Sequence, residues 1–299
     1  MDSHNAVKKQ LLHELNQESL ARISAETRSL TGFMRLVLVI SPNSIAVPCI
    51  YLASLSIGAI LCTANPKSTE AEIKKQAEDL KPVVIFTPTN LLNKVRATQL
   101  SVILIEGNTE EGSGASRSGC ISTLNLLLKS TIRSLPSVDI KQEDTATLLY
   151  SSGTTGKSKG VISTHRNVIA IIAGMLGSGA NMEGEEKICL SIIPLFHVFG
   201  FCYTISCIAA GSTVVIMPKF DLAEMLSAIQ QYRVKTLPAS PPILVALNKS
   251  PIVANYDLTS LYSIACGGAP LGKDVIDKFT ARFPTVQVQQ VTFMPFLHL

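Results

Sequence analysis

Apolar and polar residues occur in blocks along the chain, and the block from Leu36 to Pro66 contains no charged side chain. This run is longer than the about 20 residues that a helix needs to cross a bilayer. Prolines and the segment Ser41–Ser44 interrupt it, so it divides into a strand over 36–40, a helix over about 45–56 and a strand over 57–63. Strands of a parallel sheet that are buried on both faces have continuous apolar sequences. The run therefore favours a buried α/β core over the alternative of a membrane-spanning segment.

Short apolar runs continue to alternate with amphipathic segments as far as residue 284. Strands followed by helices along the chain are typical of a doubly wound, mostly parallel sheet, so the predicted fold class is α/β. Residues 108–119 are rich in Gly, Ser and Glu and are expected to form an exposed loop. The other predicted elements are helices over 70–80, 91–98, 222–232 and from about 273, a helix that carries Val168–Leu176 and is capped by Ser163 or Thr164, a helix after His197, and strands over 83–86, 101–105, 145–150, 161–163, 188–193, 212–217 and 261–265.

Composition narrows the class of protein further. The chain has 299 residues, 46% of them hydrophobic, which suffices for one large domain or two smaller ones. The net charge of +4 arises from 26 basic and 22 acidic residues spread along the chain, so no nucleic-acid partner is indicated. The charged, polar N-terminus lacks the apolar core of a secretory signal, and no export is expected.

Seven cysteines include no Cys-X-X-Cys pair and lie mostly in apolar surroundings, which favours buried thiols in a reducing compartment. His197, Cys202 and Cys207 follow one another at five-residue intervals, which raises the alternative of a metal site. No fourth ligand or known zinc spacing accompanies them, so no metal ligand is assigned.

The segment SSGTTGKSKG, residues 151–160, is the strongest chemical signal in the chain. Its glycines allow successive backbone N–H groups to converge, its hydroxyls add donors, and two lysines add positive charge, which together suit a polyphosphate. A flexible surface loop is the simple alternative, but apolar strands are predicted on both sides. A Walker A loop is disfavoured because its first glycine position holds Ser151 and because β-branched residues follow.

This segment and its flanks, DTATLLY and VISTHRNV, resemble the nucleotide motif of adenylate-forming acyl-activating enzymes, in particular plant 4-coumarate–CoA ligases and their ligase-like relatives. Ser158 stands where that family usually has Pro. The resemblance implies the large N-terminal domain of that family, with the loop binding the β- and γ-phosphates of ATP. The residues it assigns to ATP are Ser151, Ser152, Gly153, Thr154, Thr155, Gly156 and Lys159.

Three further segments match the family. IPLFHVFGF, residues 193–201, contains His197, which the resemblance places near the acyl carboxylate as a catalytic residue, and Phe199, which it places in the acyl pocket. Alone, such a histidine is more often a hydrogen-bonded core residue. CGGAPLGKDV, residues 266–275, supplies Gly267, Gly268 and Ala269, small residues that the family needs close to the acyl group and adenine. Lys219 matches, more weakly, a position used toward coenzyme A.

The resemblance divides the chain into a weakly patterned segment over 1–35, an incomplete AMP-binding domain over 36–284 and a divergent tail over 285–299, whose sequence TVQVQQV alternates like a strand. It also implies Mg²⁺ bound with ATP, but the acidic residue that holds it is not found here. The ribose-binding Asp, the hinge and the small C-terminal domain with its catalytic Lys are likewise expected to be absent.

The function expected from the resemblance is that of an acid–CoA ligase, which uses ATP to form an acyl-adenylate and then a thioester with coenzyme A. This chain alone is expected to be nearly inactive, and a non-catalytic fragment that binds ATP or an acyl group is the alternative. The expected partners are a small carboxylic acid, ATP and coenzyme A. A cytoplasmic location is expected, with the peroxisome as the alternative.

Overall fold

The structure of the protein, a computed structural model, describes residues 36–105, 120–123, 138–151, 159–178 and 187–291. The expected loop over 108–119, residues 152–158 and both ends of the chain lie outside the described residues. The described residues form two compact units. Unit 1 extends to Ile169, and unit 2 begins at Ala170. The boundary falls inside a helix, and for that reason no linker in the sequence marks it.

The strands of unit 1 are β1 (Leu36–Ile40), β2 (Ile60–Ala64), β3 (Val84–Thr87), β4 (Ser101–Leu104), β5 (Cys120–Thr123), β6 (Thr145–Ser151) and β7 (Lys159–Thr164). They form one sheet in the order β5-β4-β3-β1-β2-β6-β7. All neighbouring strands are parallel except β6 and β7, which form an antiparallel hairpin. The predicted doubly wound, mostly parallel sheet is therefore confirmed.

The helices of unit 1 are α1 (Ala46–Ser56), α2 (Glu70–Leu80) and the single turn α3 (Leu92–Val95), which 3₁₀ turns flank at Thr89–Leu91 and Arg96–Thr98. Helix α4 (His165–Ser178) follows β7 and crosses the boundary between the units. The apolar side of α2 contributes Ile73 to a core with Leu38 and Ile85 from the sheet, all completely buried. The uncharged run predicted to be core is thus β1, α1 and β2, and no helix within the described ranges is long and apolar enough to cross a membrane.

The strands of unit 2 are β8 (Ile188–Ser191), β9 (Thr213–Ile216), β10 (Thr236–Ala239), β11 (Ser263–Gly267) and β12 (Gln287–Val291). The helices are α5 (Val198–Ala209), α6 (Leu222–Tyr232), α7 (Pro241–Lys249) and α8 (Lys273–Arg282). All five strands are parallel, in the order β12-β11-β10-β8-β9. The chain moves from β8 to β9 on one side and then returns to add β10 on the other side, so the winding direction reverses between β8 and β10.

Several details of the sequence analysis differ from the structure, among them strand β5, which was not predicted, and the helix expected over 91–98, which is a single turn between two 3₁₀ turns. Strand β2 begins at Ile60 rather than at residue 57, because Gly58 adopts a φ of +70° in the turn that ends α1. No element was predicted over 236–249, where β10 and α7 lie. Pro238 lies inside a central strand, where proline is uncommon, and Pro241 opens a helix at a position that proline tolerates.

Candidate functional site

The glycine-rich segment begins in β6 and ends in β7. Ser151 is the last residue of β6 and Lys159 the first of β7, and these two residues pair in the antiparallel ladder, followed by Tyr150 with Gly160. Between them, outside the described residues, lie Ser152, Gly153, Thr154, Thr155 and Gly156. Hydrogen-bonded strands therefore close the base of the loop, in line with the apolar flanks that argued against a free surface loop.

The remaining predicted site residues follow the carboxyl ends of strands in unit 2. His197 and Phe199 come after β8, and Gly267 ends β11. In a parallel sheet the carboxyl ends of all strands lie on the same side. Ligands of such sheets bind outside these ends, next to the point where the winding direction reverses. Here the reversal lies between β8 and β10.

A close backbone contact fixes the segment that carries His197 and Phe199. The Pro194 carbonyl accepts a hydrogen bond from the His197 N–H at 3.2 Å. A Cβ atom at Gly200 would lie only 2.1 Å from the same carbonyl oxygen. The first turn of α5 can approach the preceding loop this closely only because residue 200 has no side chain.

Phe199 and Gly267 lie against each other. Phe199 is 8% exposed, and a Cβ atom at Gly267 would lie 3.0 Å from its Cε1 atom and 2.9 Å from the Val291 carbonyl oxygen. A side chain at residue 267 would have to displace the aromatic ring or the end of β12. The structure therefore brings together two residues that are far apart in sequence and that were predicted to share one pocket.

Gly268 and Ala269 continue from this contact into an exposed turn. Gly268 has a φ of +85°, a left-handed conformation that favours glycine, and no atom lies within 4 Å of the position its Cβ would take. The requirement at Gly267 is therefore space, whereas the requirement at Gly268 is backbone conformation.

His197 is the N-cap residue of α5 and has an exposed side chain. Its imidazole stacks at a tilt on the Phe196 ring, with 4.3 Å between the ring centroids. The surrounding protein removes part of its hydration, which lowers the pKa of the imidazole below its ordinary value of 6.5. At neutral pH the ring is therefore mainly uncharged, with one nitrogen as donor and the other as acceptor.

Lys219 lies apart from these residues. It is exposed and follows β9, the outermost strand of the sheet. Strands β8 and β10 lie between β9 and β11, the strand that ends at Gly267. With about 4.8 Å between neighbouring strands, the offset across the sheet is about 14 Å. In the described part of the chain, no three His, Cys, Asp or Glu side chains cluster as a metal site would require.

Sequence reasoning missed three residues that shape this site, namely Gly200, Tyr203 and Thr236. Tyr203 contacts Phe199 edge-to-face, and its hydroxyl lies 3.0 Å from the Thr236 hydroxyl. The glycine in PLFHVFGF was a usable signal for a close backbone approach. The tyrosine and threonine gave none, because only the fold brings α5 and β10 together.

These features define a doubly wound α/β protein in which paired strands flank a glycine-rich segment and small residues lie at the carboxyl end of β11. The family model described as "AMP-binding enzyme" matches residues 32–291, and the chain belongs to this family.

Among curated proteins, the chain is 43% identical over 265 residues to "Probable CoA ligase CCL5" of Humulus lupulus and 40% identical over 260 residues to "Peroxisomal OPC-8:0-CoA ligase 1" of Arabidopsis thaliana. Each alignment covers 85% of this chain and 47% of the relative, so the chain spans about half the length of these relatives. The resemblance to plant 4-coumarate–CoA ligase-like proteins is confirmed, since one of that description from Arabidopsis thaliana is 40% identical over 260 residues.

Solved structures share the fold. A natural red-emitting luciferase from Phrixothrix hirtus aligns with a TM-score of 0.78 and 27% identity, over 90% of this chain and 52% of the other. A luciferase-like enzyme from the mealworm Zophobas morio aligns with a TM-score of 0.77 over 93% of this chain and 64% of the other, at 22% identity. The second match supports the fold alone.

Proposed function

We propose that the chain is the nucleotide- and acid-binding part of an acid–CoA ligase. Such an enzyme activates a carboxylic acid with ATP to an acyl-adenylate and pyrophosphate, and then transfers the acyl group to coenzyme A. Membership of the family and the plant CoA ligase relatives support the reaction class. The observation that supports the proposal for this chain is the contact of Phe199 with Gly267 at the carboxyl end of β11. Phe199 lies two residues after His197 in the chain.

In the first step, a carboxylate oxygen of the acid attacks the α-phosphorus of ATP and the bond to the β-phosphate breaks. The loop residues Ser151–Gly156 and Lys159 would bind the leaving phosphates through N–H, hydroxyl and ammonium donors. Negative charge moves onto the pyrophosphate oxygens, so donors fixed in advance stabilise the transition state more than mobile water does. The β6–β7 ladder supports such fixing because it holds both ends of the loop.

His197 would orient the acid through its neutral imidazole, which can donate one hydrogen bond to the carboxylate. Phe199, Gly267, Gly268 and Ala269 would form the wall along the acyl group. An aromatic face next to small residues suits an apolar or aromatic acid.

In the second step, the coenzyme A sulfur attacks the acyl carbon, the bond to AMP breaks and the thiol proton leaves to solvent. Lys219 would attract the negatively charged coenzyme from the far side of the same strand edge. Mg²⁺ prefers carboxylate and water oxygens, and none of these site residues carries a carboxylate. The site residues therefore do not fit this ion by themselves, and no step here depends on it.

Binding of a non-hydrolysable ATP analogue, measured by isothermal titration, tests the proposal. We expect saturable binding to one site, weakened at least about tenfold by Lys159→Ala, because a charged contact to phosphate contributes about 1.5–3 kcal/mol. AMP lacks the outer phosphates and should bind the variant and the unchanged chain alike. Lys141→Ala, which removes an exposed lysine just before β6, is the matched control.

An unchanged chain that does not bind the ATP analogue would refute the proposal, as would an equal loss of affinity in the two lysine variants. A pyrophosphate-release assay with hydroxycinnamic and fatty acids then separates a ligase from a protein that only binds these ligands. For the compartment we propose the cytosol, with the peroxisome as the alternative because one relative is described as peroxisomal.

A further inference from the structure

Phe199 packs on a second buried aromatic residue of the same helix. Tyr203 lies one turn later in α5, and the two rings meet edge-to-face, with 6.4 Å between centroids and 83° between planes. Residues four apart share one face of a helix, and this ring geometry is the favourable one for aromatic pairs. Tyr203 is 5% exposed. The Phe199 ring therefore has Gly267 on one side and Tyr203 on another.

The Tyr203 hydroxyl is tied to the sheet by two hydrogen bonds in series. It lies 3.0 Å from the Thr236 hydroxyl, which itself donates to the Cys189 sulfur at 3.1 Å. Because the Thr236 proton points to the sulfur, Tyr203 is the donor to Thr236. Thr236 and Cys189 pair directly across β10 and β8, the two strands between which the winding direction reverses.

This arrangement fixes the position of Tyr203. A buried hydroxyl without a partner is unfavourable, so Tyr203 keeps its ring where its hydroxyl reaches Thr236 and the sulfur atoms of Cys189 and Cys207. Burial also raises the pKa of Tyr203, which keeps the hydroxyl protonated as a donor. Any rotation of Tyr203 would break a bond to the centre of the sheet.

We propose that Tyr203 is a positioning residue for acyl selection. Held by Thr236 and Cys189, it fixes the Phe199 ring against Gly267 and so sets the width of the acyl-binding space. A fixed, flat aromatic wall favours planar acyl groups over bulky ones. This inference rests on the proposed function, because it concerns the acyl wall of that same site.

The test compares AMP with a stable analogue of cinnamoyl-AMP in which a sulfamoyl group replaces the phosphate. The ratio of their dissociation constants is called the acyl increment. The exchange of phosphate for sulfamoyl contributes equally in every variant, so a change of the increment between variants reports on the acyl wall. We expect Tyr203→Phe and Thr236→Val each to lower the acyl increment about three- to tenfold, the equivalent of one lost hydrogen bond. The affinity for AMP itself should change less than about twofold.

Two control variants make the comparison specific. Thr236→Ser keeps the hydroxyl and should retain the acyl increment of the unchanged chain. Tyr51→Phe removes a hydroxyl from a buried tyrosine in unit 1 and should leave the increment unaltered. Thr236→Val exchanges the hydroxyl for a methyl group, whereas Thr236→Ser removes the methyl group and keeps the hydroxyl. The two variants therefore test the hydroxyl even if Tyr203→Phe fails to fold.

The outcomes separate the inference from the proposed function. If the unchanged chain binds neither AMP nor the analogue, the proposed function fails and the inference falls with it. If the unchanged chain shows an acyl increment and folded Thr236→Val shows the same one, the inference alone is overturned. A reduced increment in Thr236→Val that Thr236→Ser restores would support it.

Discussion

At the scale of single residues, the candidate site depends on positions where a side chain is missing as much as on those where one is present. Gly200 lies against the Pro194 carbonyl and Gly267 against the Phe199 ring and the Val291 carbonyl. Neither contact tolerates a Cβ atom without a shift of backbone or aromatic ring. The small residues therefore determine how closely α5, β11 and β12 approach one another.

Replacing Gly200 with alanine should destabilise the protein strongly. The new methyl group would lie 2.1 Å from the Pro194 oxygen, and forcing extra atoms into a packed region costs about 1–3 kcal/mol. Urea unfolding followed by circular dichroism measures the loss. Gly174→Ala is the matched control, because Gly174 also lies within a helix but has no atom within 4 Å of its Cβ position. For Gly174→Ala we expect stabilisation of up to about 1 kcal/mol. Equal effects of the two substitutions on stability would contradict the packing argument.

His197 should titrate below pH 6.5. Partial desolvation of the imidazole by the surrounding protein lowers its pKa in the folded state, so the folded protein binds fewer protons than the unfolded chain between the folded pKa and 6.5. Its contribution to stability is therefore fully present above pH 6.5 and is lost as the pH falls through this window. An NMR titration of the imidazole resonances checks the midpoint, with His197→Asn used to assign the signal.

His165 gives the comparison for that titration. Burial lowers its pKa too, although the Asp144 carboxylate opposes the shift. In His197→Asn, the fall in melting temperature between pH 7 and pH 5 should become shallower but should persist because of His165. A His197 midpoint at or above 6.5 would contradict the partial desolvation of its imidazole.

At the scale of elements, two hydrogen bonds at the first turn of α4 determine where strand β7 ends and the helix begins. The Thr164 hydroxyl accepts a bond from the Asn167 N–H at 3.3 Å, and the Asn167 side chain accepts from the Thr164 N–H at 2.9 Å. Of the two residues predicted as caps, Thr164 is thus the cap of α4. This reciprocal pair lies at the end of β7, the strand that also closes the glycine-rich loop.

Loss of this cap should be measurable. Thr164→Ala leaves the Asn167 N–H without its partner and should cost about 0.5–2 kcal/mol of stability. Ser163→Ala removes a hydroxyl from the preceding residue and should stay within about 0.5 kcal/mol of the unchanged chain. Chemical denaturation of the three proteins in parallel gives the comparison, and a larger effect at Ser163 would reverse the assignment.

Element boundaries were predictable where a local signal marks them. Helix α2 matches its prediction at both ends because Thr69 and Glu72 form a capping box and Lys81 ends the helix in a left-handed conformation. Helix α6 does so because Asp221 caps its start and Arg233 ends it in the same way. Strand β10 and helix α7 were not predicted, because their prolines indicate loops unless the tertiary contacts are known.

At the scale of the whole molecule, burial of the thiols gives a test of the packed core. Burial is described for six of the seven cysteines, and all six are buried. Burial raises the pKa of Cys49, Cys62 and Cys202 to about 12 and that of Cys266 to about 11. Cys189 differs, because hydrogen bonds from Cys207 and Thr236 lower its pKa to about 6.

Reaction with a disulfide reagent such as Ellman's reagent should therefore be slow in the native protein. We expect at most one thiol to react rapidly without denaturant and all seven of the sequence to react in guanidinium. Cys189 is expected to stay protected despite its lowered pKa, because 5% exposure excludes a bulky reagent. Rapid native reaction of two or more thiols would contradict the buried core.

The sequence by itself determined the alternation of strands and helices, the apolar core, the anchored glycine-rich loop and the membership of the family, because each depends on residues adjacent in the chain. Only the tertiary structure decided that winding reverses between β8 and β10, that Phe199 meets Gly267, and that Tyr203 reaches Thr236 and Cys189. These contacts join residues tens of positions apart. They depend on strand order and register, which no local pattern of side chains fixes.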